Sequence, residues 1–156
     1  MQVFKTLNPS VFSSILSDDY KHEFAPASLN PPQPFNREGF TAHTSRFRGV
    51  LRSFPMRMKE TWPNPSLNQV IIWADSETDF HDHVKDGDDE SGWKLHGEYM
   101  WVLTMDESGE KIKHVLEFLD SKATEKIGGV MARAFKKNEE LDGSGVGNVE
   151  GGWEIK

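Results

Sequence analysis

Along the first third of the chain, the apolar positions change spacing twice. In "NPSVFSSIL", Val11, Phe12, Ile15 and Leu16 form one helical stripe. Asn8 can cap that helix, and Pro9 suits its first position, where a missing N–H costs no hydrogen bond. "DDYKHEFAP" then turns to period two, with Tyr20, His22 and Phe24 on one face of a predicted strand. "ASLNPPQPF" is a proline-rich loop. Asn36 can cap a second helix, whose stripe runs through Phe40, His43, Phe47, Val50 or Leu51, and Phe54 until Pro55 stops it.

Strand spacing dominates the middle of the chain. "MRMKETW" alternates weakly, "PNPS" reads as a turn, and "NQVIIWAD" as a buried strand. "HDHVKDGDDESG" is an acidic loop. "WKLHGEYMWVLTM" is a long strand joined by "DESGEK" to a second one, "IKHVLEFLD". Ser121 is placed to cap a last helix bearing Ile127, Val130, Met131, Ala134 and Phe135, weakened by Gly128 and Gly129. Residues 1–137 are therefore expected to form one domain. Residues 138–156 make a glycine-rich acidic tail, expected to be mobile, in which Trp153 and Ile155 are able to dock. Helices gathered beside a run of antiparallel strands predict an α+β architecture.

Composition narrows the function. A chain of 156 residues and 17.7 kDa is long enough for one hydrophobic core. It has no cysteine, which removes disulfides and thiolate metal sites. Mean hydropathy is −0.62 and no apolar run approaches the ~18–20 residues of a membrane span. "MQVFKTLNPS" lacks the features of a secretory leader, so a cytoplasmic address is the simplest expectation. The net charge of −7 offers no phosphate-binding surface beyond "RFRGVLR" and "MRMK". With Phe47, Val50 and Leu51 interleaved, that basic stretch reads as one side of a helix, and no nucleic-acid partner is expected.

Candidate chemistry lies on the inward faces. Strict alternation along the last strand groups Ile112, His114, Leu116, Phe118 and Asp120 on the more apolar face, expected to point inward. Lys111, Lys113, Val115, Glu117 and Leu119 then point outward, unless a bulge reverses the order. Asp120 is either a helix-dipole partner at the strand end or an acid–base group. His22, His43 and His114 all interrupt apolar faces. An apolar pocket raises a carboxyl pKa and lowers that of histidine, which brings both toward working pH. Tyr99, Trp101 and Trp73 are either packing residues or ligand walls, and Arg46 lies one turn from His43. His81 and His83, in the acidic loop, read as solvated groups rather than metal ligands.

"SVFSSILSDDYKHEF" and "WKLHGEYMWVLTMDESGEKIKHVLEFLDS" resemble the short helix leading to a histidine-bearing strand, and the paired long strands ending in an acid, of the SnoaL-like, nuclear-transport-factor-two-like superfamily. The resemblance covers residues 8 to 135. It implies a cone-shaped curved antiparallel sheet wrapped around helices, with the first helix here short or missing, and a homodimer through the outer sheet face. It further implies a cofactor-independent isomerase, cyclase or dehydratase acting on an apolar polyketide- or terpenoid-like molecule, without a metal. Asp120 matches the superfamily's strand-end acid and would move the proton, with His43 or His22 as its partner. Glu117 lies near the position where other branches carry an acid. Tyr20, Arg46, Phe47, Trp73, Trp101, His114, Phe118 and Glu117 would contact substrate. The rival expectation is a non-catalytic dimeric module of the same fold that binds a small molecule or serves as a scaffold.

Overall fold

The computed structural model describes residues 9–87 and 89–143. The two spacings of the N-terminal third become helix α1 (Pro9–Ile15) and strand β1 (Leu16–Ala25), with Phe12, Leu16, Tyr20 and His22 buried. The capping expected of Asn8 lies outside the described residues. Asn36 does cap α2 (Arg37–Arg46): its side chain accepts a hydrogen bond from Gly39 N at 2.8 Å. The chain then forms β2 (Leu51–Ser53), β3 (Met56–Asn64), β4 (Gln69–Glu77), β5 (Asp79–Phe80), β6 (His96–Met105), β7 (Ile112–Leu119) and α3 (Ser121–Leu141). None of the described helices is long and apolar enough to cross a membrane.

Five strands make one sheet in the order β1-β7-β6-β4-β3, parallel at β1/β7 and antiparallel elsewhere, while β2 and β5 pair separately. Register shifts interrupt β3/β4 between Met58 and Glu60 and β6/β7 between Thr104 and Met105. Such irregularities bend strands and increase twist. The inner face of the sheet meets α1 and α2 in a core that includes Phe12, Tyr20, Phe40, Ile72, Tyr99 and Trp101. A second core lies where α3 packs on β2, β5 and the segment before β6, through Val50, Phe80, Val84, Trp93, Val130 and Ala134. Phe54 packs against both cores and joins them.

Three expectations change. α2 stops at Arg46 rather than at Pro55, because the chain tightens into a 3-10 turn at Phe47–Gly49 and Leu51 finds ladder bonds opposite Phe80. α3 runs unbroken through Gly128 and Gly129 and on through Leu141, so residues 138–141 are helix rather than tail. Burial of Val130, Met131 and Ala134 outweighs the low propensity of the two glycines. Residues 144–156, with Trp153 and Ile155, lie outside the description. The third change concerns the cap of α3, which is Asp120 and not Ser121. The Asp120 carboxylate accepts from Lys122 N at 3.1 Å and Ala123 N at 3.2 Å. A cap of this kind contributes ~1 kcal/mol.

The connection between β6 and β7 is fixed by its own side chains. Asp106 Oδ1 accepts from Ser108 Oγ, Glu110 N and Lys111 N, and Gly109 takes the positive φ of 74° that closes the turn. This sets the register with which β7 enters the sheet.

Candidate functional site

Ile112 and Val115 both pack inward although they are three positions apart. Period-two alternation forbids this unless one residue is extra, and the extra one is Lys113. Thr104 pairs with His114 and Met105 with Ile112, which leaves Lys113 unpaired on the β6 side. Beyond that bulge Val115, Glu117 and Leu119 point inward, and His114, Leu116 and Phe118 point outward. The facing expected from strict alternation is therefore reversed. Glu117 is the inward acid of this strand, and Asp120 sits exposed at the helix cap.

Glu117 meets His22 across the parallel β1/β7 pair. His22 Nε2 lies 2.8 Å from Glu117 Oε2, and His22 Nδ1 lies 2.7 Å from the Tyr20 hydroxyl. A carboxylate only accepts, so Nε2 carries the proton, and in the neutral ring Nδ1 must then accept from Tyr20. The ring is 2% exposed and is stacked by Phe40, with centroids 4.1 Å apart and planes 13° apart. Its backbone is held as well: His22 N donates to Phe35 O at 2.8 Å, and Phe35 N to His22 O at 2.9 Å. Burial, and after it the negative charge of Glu117, push the Tyr20 hydroxyl well above its ordinary pKa, so it stays protonated. Among the described residues, Glu117 Oε1 accepts no hydrogen bond.

His43 stands on α2 within the same aromatic surroundings. Its ring centroid lies 5.0 Å from Phe35, 5.0 Å from Phe47 and 6.0 Å from Phe24. No hydrogen bond from another described residue satisfies its nitrogens. Burial first, and then the Arg46 cation, lower its pKa to about 4 against the opposing pull of Glu117. At neutral pH it is an uncharged imidazole with one donor and one acceptor to offer. On the strand beside β7, Trp101 pairs directly with Glu117 and stacks on Tyr99 at 5.4 Å. The Tyr99 hydroxyl bonds Ser76 at 2.9 Å and occupies space that any Cβ at Gly97 would enter.

The sequence-predicted residues thus divide. Tyr20, His22, His43, Phe47, Trp101 and Glu117 lie on the inner side. Trp73 lies on the outer face, where its Nε1 donates to Glu98 at 3.2 Å and Lys59 sits 4.4 Å from its ring. Phe118 is 50% exposed on that face, and His114 there bonds Glu23. Arg46 is exposed with its guanidinium 5.3 Å from the Phe135 ring centroid. His81 and His83 stack on each other and direct Nε2 to Arg48 O and Asn138 Oδ1 respectively. Among the described residues, no three histidine, aspartate or glutamate side chains converge as metal ligands would. Phe24, Phe35 and Phe40 belong to the site and were not predicted for it. Phe24 and Phe40 shared stripes with His22 and His43, a readable signal. Phe35 sits in the proline-rich loop and reaches the site only through its long-range bridge to His22.

No family model matches this sequence, and no curated protein matches it. Solved structures do. The BvnE pinacolase from Penicillium brevicompactum is 20% identical with a TM-score of 0.71, over 85% of this chain and 89% of that one. PrhC from Penicillium brasilianum is 10% identical with a TM-score of 0.70, over 89% of this chain and 88% of its own. A putative SnoaL-like polyketide cyclase from Jannaschia is 12% identical with a TM-score of 0.58, over 79% and 83%. At these identities the likeness establishes the fold: an α+β cone of the SnoaL-like, nuclear-transport-factor-two-like type, in which the first described helix spans 7 residues.

The lowered pKa of His43 gives a signed pH dependence. The unfolded chain binds this proton near 6.5 and the folded chain only near 4, so the unfolded state holds more protons in that window. His43 therefore removes stability as pH falls from 6.5 toward 4, by roughly 1–2 kcal/mol after allowance for its partial exposure. Imidazole NMR at about pH 5.5 should find His43 neutral, and His43→Gln should soften the acid-induced fall in melting temperature. A His43 ring half-protonated near 6.5 would contradict this.

Proposed function

We propose that this chain is a cofactor-independent acid–base enzyme, an isomerase, cyclase or dehydratase, acting on an apolar polyketide- or terpenoid-like molecule. The observation that carries the proposal is the inward carboxylate of Glu117, fixed through one oxygen by a buried histidine while its other oxygen accepts no hydrogen bond among the described residues. The acid–base role expected at Asp120 passes in this reading to Glu117, because Asp120 is engaged as the exposed cap of α3.

The roles follow from the donors and acceptors. Tyr20 donates to His22 Nδ1, which keeps the proton on Nε2, so Glu117 receives a hydrogen bond and remains a base. Oε1 takes a proton from carbon or oxygen of the substrate. His43, neutral at working pH, donates a hydrogen bond to the substrate oxygen on which charge grows. Glu117 gives the proton it took back to the substrate or its leaving oxygen, which restores the carboxylate. Phe24, Phe35, Phe47 and Trp101 supply the apolar wall that holds the carbon skeleton. The pinacolase and cyclase named among the structural neighbours are consistent with small-molecule chemistry on this fold.

Homodimerisation through the outer sheet face is part of the proposal. Trp62, Met100, Leu116 and Phe118 are exposed at 39%, 37%, 36% and 50%. Register places Trp62 beside Ile71 in one outward row with Val102 and Leu116, and Trp73, Met100 and Phe118 in the next. Contiguous exposed apolar surface of this kind marks an interface. The same face serves the second reading, a dimeric binding module without turnover.

Incubation with polyketide and terpenoid intermediates, read by mass spectrometry, separates the readings. Glu117→Gln should keep ligand binding and lose ~10²–10⁴ in conversion, while Asp120→Asn converts as the parent does. Equal conversion by Glu117→Gln would remove the proposed base. Binding without conversion by the parent would favour the binding module. In sedimentation, Phe118→Glu should turn a dimer into a monomer, and an unchanged assembly would place the interface elsewhere.

A further inference from the structure

The arginines of this acidic chain do not share one environment. Arg37, Arg52, Arg57 and Arg133 each sit within 4 Å of an aspartate, at 2.6, 3.2, 2.7 and 2.6 Å. Arg46 has no carboxylate within ion-pair distance among the described residues; its partner is the face of Phe135. Arg48 also lacks an ion pair among the described residues, but Arg46 differs from it in position. It follows His43 by one helical turn on α2, so the two side chains leave the same face. Phe47 links them, in contact with His43 at 5.0 Å and with Phe135 at 6.2 Å.

A guanidinium lying over a ring keeps its N–H groups at its edge, free for a planar anion. The ring also fixes the cation in place before a ligand arrives, which reduces the entropy lost on binding. We infer that Arg46 is an anion-recognition residue at the rim of the inner site, and that the substrate class is amphipathic: an apolar ring or chain body carrying one carboxylate or similar anionic group. The inference rests on the inner site being the binding site, as proposed above. The apolar body lies among Phe24, Phe35 and Phe47, and the anion reaches outward to Arg46. The field of Arg46 is already felt at His43, where it is the second cause of the lowered pKa.

Two probes with the same aromatic body test this. Anilinonaphthalene sulfonate carries an anion, and phenylnaphthylamine does not. Each is titrated into the full chain while the His43 ring resonance reports whether the inner site is occupied. Both probes should shift His43, and the sulfonate should bind about three- to ten-fold more tightly. That advantage should shrink with added salt and vanish in Arg46→Gln, while phenylnaphthylamine affinity stays as in the parent. If both probes shift His43 with equal affinity, or the advantage survives in Arg46→Gln, the inference is wrong and the inner site stands. If neither probe shifts His43, the inner-site reading itself fails. Salt titration of the parent keeps the test decisive even if the variant folds poorly.

Discussion

A histidine ring that is almost wholly buried must satisfy two nitrogens without water, and the packing of this protein is arranged around that requirement. His22 meets it with Tyr20, two residues away on its own strand, and Glu117, which lies 95 positions along the chain. Glu117 comes into reach because β1 and β7 run parallel, with His22 opposite Val115 and Phe24 opposite Glu117. Phe40 covers one face of the ring, and Phe35 holds the backbone. Losing either polar partner would leave a buried donor or acceptor unpaired, at a cost of ~1–3 kcal/mol. The same bonds aim the carboxylate inward, so stability and candidate chemistry share one set of contacts.

The two faces of the sheet then take different work. The inner face carries hydroxyl, imidazole and carboxylate groups among aromatics. The outer face carries aligned apolar rows bordered by the Arg57–Asp75 and Lys59–Glu98 pairs. Those pairs are exposed and contribute little to stability, ~0–1 kcal/mol each. α3 closes a separate core with β2 and β5, joined to the first through Phe54. The arrangement leaves the His22–Glu117 region bounded by α2 and the sheet.

Much of this was legible in the sequence. The Tyr20–His22–Phe24 face, the Asn36 cap and the long β6 and β7 strands all follow from local spacing and cap chemistry. The direction of β7 was not, because both of its faces are apolar: Ile112, Leu116 and Phe118 compete with Val115 and Leu119. Alternation chooses a face only when one face is polar. The bulge at Lys113, which decides the matter, has no residue that announces it. Trp73 failed for a related reason, since "VIIW" is apolar at every position and its outward member cannot be picked out. Phe35 depended on a bridge between segments that no local pattern connects. Asp120 was readable in both of its alternatives, and the capping one is what its geometry serves.

Nitrogen NMR of the His22 ring in the folded protein tests the central claim most directly, because it reads which nitrogen carries the proton. The account predicts the neutral tautomer protonated at Nε2 and accepting at Nδ1, with the Nε2–H signal altered in Glu117→Gln and the Nδ1 signal altered in Tyr20→Phe. A ring protonated at Nδ1, or a His22 spectrum indifferent to both substitutions, would contradict it: Glu117 would then not be held as the inward base.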